Sequence, residues 1–96
     1  MIKHIVLFKF KDENKTEFMK QAKQDLEDLV DKIEELKKIE IGINYLEDEN
    51  MPDLSLTATF ENKDGLKVYA THPQHLKVVE LFKPMATGRW VVDYEI

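Results

Sequence analysis

Apolar positions along this chain recur at two periods, and each change of period marks a new element. From Met1 to Phe10 branched and aromatic residues alternate as in a strand. One face carries Ile2, His4, Val6, Phe8 and Phe10, and the other carries Lys3, Ile5, Leu7 and Lys9. Both faces are apolar in the middle, which suits a central strand covered on two sides. After a polar break, Phe18, Ala22, Leu26, Leu29, Ile33 and Leu36 recur at intervals of four and three. That is the stripe of one long amphipathic helix. Asn14 and Glu17 have the spacing of a capping box at its start. Asp28–Lys32 and Glu34–Lys38 are favourably ordered pairs on its charged outer face. The period returns to two at Ile39, Ile41, Ile43 and Tyr45, and again at Leu54, Leu56, Ala58 and Phe60. An acidic loop with Pro52 joins them, predicting an antiparallel hairpin.

In the second half, Asn62 is placed to cap a short helix carrying Leu66, Tyr69 and Ala70 on one side. Pro73 interrupts that helix and suits the first position of the next, where its missing N–H costs nothing. Thr71 or His72 would be the cap. His75, Val79 and Phe82 then share a face with Leu76 alongside, and Pro84 ends the helix. Gly88 separates it from a last strand, Arg89 to Ile96, with Trp90, Val92, Tyr94 and Ile96 opposite Val91, Asp93 and Glu95. The order is βαββαβ with the second helix broken in two. It predicts an α+β, ferredoxin-like fold: an antiparallel four-stranded sheet with helices on one face, as a single domain over 1–96. Helices on one face leave Ile5, Leu7 and Val91 uncovered on the other. A second copy laid sheet to sheet is the economical cover, so a homodimer is expected.

Composition narrows the function. At 96 residues, 43% hydrophobic and 34% charged, the chain is a small globular domain. Its 14 basic residues are scattered among 19 acids for a net charge of −5, which argues against a nucleic-acid partner or an acidic membrane surface. No apolar run approaches the ~20 residues of a membrane span, and the N-terminus lacks a signal-peptide shape. With no cysteine there is no disulfide or thiolate chemistry, and a cytoplasmic location is expected. Three scattered glycines make no phosphate loop. Ser55, the only serine, has no local partners for a nucleophile. His4, His72 and His75 without a cysteine or a recognisable acidic ligand fall short of a metal site. No cofactor is expected.

The chemistry-bearing stretch is Tyr-Ala-Thr-His-Pro-Gln-His at 69–75, which holds two of the three histidines. Tyr69 and His75 flank the proline break on faces with apolar neighbours, and His4 interrupts the apolar face of the first strand. With Val6, Phe8 and Leu56 on the inward strand faces and His72 at the break, they outline a modest pocket. Such a lining suits a small, largely apolar molecule. The same residues also allow a purely structural reading. His72 would cap the helix, and His75 would bond Tyr69 or a backbone carbonyl to lock the break.

Four segments carry a resemblance to a known family: residues 2–11 (IKHIVLFKFK), 41–44 (IGIN), 69–75 (YATHPQH) and 91–94 (VVDY). In this order and spacing they resemble the stress-responsive A/B barrel (Dabb) domain over nearly the whole chain. The resemblance implies a ferredoxin-like protomer, a homodimer whose sheets form an α/β barrel, and no single activity. One branch is similar to the plant polyketide enzyme olivetolic acid cyclase. That similarity implies a cofactor-free aldol closure, with His75 as base and Tyr69 as hydrogen-bond donor to the carbonyl, and matches His4 to a strand histidine. Leu54 stands where that enzyme has a further histidine. Three functions therefore remain open: a dimer binding a small apolar carbonyl or phenolic compound (the ligand class the resemblance implies), a cyclase-like enzyme, and a structural dimer without pocket chemistry.

Overall fold

The computed structural model describes residues 1–96. Strands β1 (Ile2–Phe10), β2 (Lys38–Ile43), β3 (Leu54–Phe60) and β4 (Ala86–Glu95) form one antiparallel sheet in the order β2-β3-β1-β4. Helices α1 (Lys15–Glu27), α2 (Lys63–Thr71) and α3 (Pro73–Phe82) pack on one face. This is the ferredoxin-like arrangement, with the second helical segment broken at His72. No helix is long and apolar enough to cross a membrane. Ile2, Val6, Phe8 and Phe10 of β1, with Leu54, Leu56, Ala58 and Phe60 of β3, form the floor of the core. Met19, Ala22 and Leu26 of α1, and Val78 and Phe82 of α3, close over it. Phe8, Phe10, Phe18 and Phe82 make a cluster of ring contacts at 4.9–5.8 Å.

The long helix expected up to Leu36 is shorter. It stops at Glu27, tightens into a 3₁₀ turn over Asp28–Asp31, and then turns toward β2. Leu29, Ile33 and Leu36 are nevertheless buried. A 3₁₀ turn followed by a bend keeps the same apolar face inward, so the spacing alone does not distinguish it from a continuing helix. The expected pairs Asp28–Lys32 and Glu34–Lys38 fall beyond the helix; Lys23–Glu27 at 3.7 Å is the i,i+4 pair it makes. The capping box is not formed either. Asn14 sits in the left-handed region at φ 58° with no side-chain cap bond, a conformation asparagine tolerates better than most.

Further differences concern the edge strands. Strand β2 ends at Ile43, and Tyr45 is 91% exposed beyond it. Strand β4 begins at Ala86, so Gly88 lies inside it rather than before it. A side chain at Gly88 would run into the Trp90 indole at 2.6 Å, because that ring lies back across the glycine. The facing of β4 differs most. Val91 pairs with Val6 and Asp93 with His4 on the helix-covered side, whereas Leu7 pairs with Trp90 and Ile5 with Val92 on the open side. Val91 is thus not part of the open face. Trp90, Val92 and Tyr94 take that place at 54%, 57% and 44% exposure, leaving the open face more apolar than expected.

The β1–β3–α1 corner is tied by Asp53, which is 5% exposed. Its carboxylate accepts the Phe10 N–H at 2.9 Å and Lys15 Nζ at 3.2 Å, with Lys9 Nζ at 3.8 Å. Its own N–H donates to the Phe8 carbonyl at 2.7 Å.

Candidate functional site

A cleft of about 410 Å³ opens between the sheet and the α2–α3 break. Its lining is mostly apolar, and it gathers His4, Val6, Phe8, Leu56, Tyr69 and His75. His72 lies outside that lining. Its Nδ1 accepts the Gln74 N–H at 3.1 Å, capping α3 ahead of Pro73. Asn62 caps α2 in the same way through Gly65 N–H at 2.9 Å. These two caps fix where each helix starts, and the break between them sets Tyr69 and His75 ring to ring at 4.3 Å.

His75 is half-buried, and its Nδ1 lies 3.1 Å from the Ala70 carbonyl, in the last turn of α2. A carbonyl can only accept, so Nδ1 carries the proton and Nε2 is the free nitrogen. Burial lowers the proton affinity of this imidazole, the Ala70 bond partly restores it, and the charges of His4, Arg89 and His72 lower it again. The net direction is downward from 6.5, so His75 is neutral at pH 7. It makes no hydrogen bond to Tyr69.

Tyr69 is 1% exposed, and its hydroxyl is buried with no hydrogen-bond partner. Burial pushes its pKa up to about 12, so it is a protonated donor with nothing to donate to. An unsatisfied buried hydroxyl costs about 1–3 kcal/mol, and native proteins tolerate few such groups.

His4 stands across the cleft floor, its ring 6.3 Å from Tyr69 and 6.5 Å from Phe60, edge-on to both. Asp93 accepts from His4 Nδ1 at 2.5 Å, which fixes the ring and leaves Nε2 free. Asp93 was not singled out from the sequence, and neither were Arg89, Lys83 or Leu66, which are among the other lining residues. Alternation along β4 places Asp93 and Arg89 on one face, but only the register, His4 opposite Asp93 and Phe8 opposite Arg89, brings them to this site. No group of three or more His, Cys, Asp or Glu side chains is placed to hold a metal ion.

Comparison with known proteins agrees with the fold. Residues 2–96 match the family model described as the stress responsive A/B barrel domain. A stress-response A/B barrel domain-containing protein of Arabidopsis thaliana is 30% identical over 98% of this chain and 85% of its own. Among solved structures, a dimeric protein of unknown function and ferredoxin-like fold from Bacteroides fragilis is 36% identical. It superposes with a TM-score of 0.90 over 99% of this chain and 95% of its own. A dimeric ferredoxin-like protein of unknown function from Thermobifida fusca is 27% identical, with a TM-score of 0.87 over 99% and 90% of the two chains.

Proposed function

Because the chain belongs to the stress-responsive A/B barrel domain family, we propose that it acts as a homodimer whose cleft binds a small, largely apolar molecule carrying an oxygen acceptor. The unpartnered Tyr69 hydroxyl carries this reading. A ligand oxygen would satisfy it, turning a cost of the empty protein into binding energy. The volume of about 410 Å³ lies in the range of small-molecule sites. The dimer is supported by the dimeric relatives and by the apolar stripe of Ile5, Leu7, Trp90, Val92 and Tyr94 on the open face. Laid sheet to sheet, two such faces would close a barrel. Trp90→Glu is expected to sediment as a monomer; a variant that stays dimeric would move the interface off the sheet.

The test of the cleft is a thermal-shift screen of small apolar carbonyl compounds and phenolic acids. A ligand at 100 times its Kd stabilises by about 2.7 kcal/mol. Hits are expected to weaken in Tyr69→Phe and His75→Ala. Hits unaffected by both variants would place the ligand elsewhere.

A second reading has a specific observation behind it. His75 offers a neutral Nε2 beside a protonated phenol, the pairing a cofactor-free aldol closure needs. Nε2 would take a proton from a methylene between two carbonyls. The carbanion would form a C–C bond to a further carbonyl of the same molecule while Tyr69 donates to its oxygen as charge develops, and the imidazolium would return its proton to the resulting alkoxide. In this reading His75→Ala keeps binding and loses turnover. Ligand binding with no turnover by the wild type leaves the binding reading alone.

A further inference from the structure

The cleft has a charge sign of its own. The chain carries 19 acidic residues and a net charge of −5, yet no Asp or Glu lines the cleft. The two full charges in the lining are both cationic, Lys83 and Arg89. They differ in what holds them. Lys83 Nζ is engaged by the Glu80 carboxylate at 2.7 Å. Arg89, the only arginine in the sequence, takes part in none of the chain's ion pairs.

Its position is set by the register. Arg89 stands opposite Phe8 on the helix-covered side of the sheet, at the exposed edge of an apolar lining. Its field reaches the interior, since it is one of the charges that disfavour protonation of His75. A planar guanidinium with five N–H donors matches a carboxylate in a bidentate fork.

We propose that the ligand is an apolar carboxylic acid bound as its anion, with the carboxylate on Arg89 at the mouth, the hydrocarbon body between the sheet and the α2–α3 break, and a second oxygen, carbonyl or phenolic, at the inner end for Tyr69. This rests on the ligand-binding reading and narrows its substrate class. A phosphate is less well served, because the other cation is already paired and the Gln74 N–H at the start of α3 is taken by His72.

The experiment is titration calorimetry of the whole protein at pH 7 and low salt, with octanoate, octanol and octyl phosphate as probes. Octanoate is expected to bind at least tenfold more tightly than octanol, about 1.4 kcal/mol. Arg89→Gln should bring octanoate down to the level of octanol while leaving octanol unchanged. Arg89 is exposed, and an unaltered melting temperature and circular dichroism spectrum would confirm that the variant folds. Octanoate and octanol binding equally to the wild type would overturn the carboxylate while leaving the apolar cleft as a binding site. Tighter binding of octyl phosphate would overturn it in favour of a phosphoryl group. Loss through Lys83→Gln rather than Arg89→Gln would overturn the assignment to Arg89. Failure of all three probes would overturn this inference, while the thermal-shift screen of carbonyl compounds and phenolic acids decides the ligand-binding reading separately.

Discussion

Two buried polar side chains stand under the helices at opposite ends of β1, and they are treated in opposite ways. At the Phe10 end, Asp53 is 5% exposed and its carboxylate is surrounded by the Phe10 N–H, Lys15 and Lys9. At the His4 end, Tyr69 is 1% exposed and its hydroxyl meets nothing. The first group joins three elements through protein partners on both of its oxygens. The second is pre-desolvated and unspent, on the wall of a cleft. Burial alone would rank them together; hydrogen bonding separates a satisfied structural tie from an unpaired hydroxyl, the one the proposed ligand would meet.

The largest expected effect is on the satisfied side. Asp53→Ala strands a buried N–H and removes the partner of two lysines, and should cost about 3 kcal/mol in urea denaturation. A loss below about 1 kcal/mol would mean that Asp53 does not hold the corner. Next comes a group that sits beside the cleft without lining it. His72→Ala removes the α3 cap and should cost about 1 kcal/mol, while affinity for any cleft ligand stays within a few-fold. If affinity fell with Tyr69→Phe but not with His72→Ala, the line between binding group and cap would be sharpened.

The smallest effect is one of slope. The folded state depresses the proton affinity of His75, by burial first. The unfolded chain therefore binds the proton more readily at pH values between the folded pKa and 6.5. The contribution from His75 is fully present above about 6.5 and is lost as the pH falls toward the folded value. His75→Gln should flatten stability against pH in that acidic window. An unchanged profile would show that the imidazole is not desolvated.

The same contrast explains what the sequence conveyed. Strand β3, the α2–α3 break and the His72 cap rest on local rules of alternation, proline at a helix start and side-chain capping, and these are legible residue by residue. The end of α1 is not, because Leu29, Ile33 and Leu36 face inward whether the chain continues as helix or tightens and turns. The facing of β4 is not either. Both of its faces carry apolar residues, so alternation alone placed Val91 on the open face where the pairing with β1 puts Trp90, Val92 and Tyr94. That register also brings Asp93 to His4 and Arg89 to the cleft. The residues of the Tyr69–His75 motif were visible as candidates, whereas the burial of the Tyr69 hydroxyl away from any protein acceptor is visible only in three dimensions.

Tyr69→Phe tests the role of this hydroxyl most directly. Removing a buried hydroxyl that has no partner should leave stability unchanged or raise it by up to about 1 kcal/mol, while binding of a cleft ligand weakens by about tenfold. Urea denaturation without ligand and calorimetry with a hit from the screen give both numbers on one variant. A destabilisation of more than about 1 kcal/mol without ligand would mean that the hydroxyl has a structural partner, and the account of the cleft as a site awaiting an oxygen acceptor would be wrong.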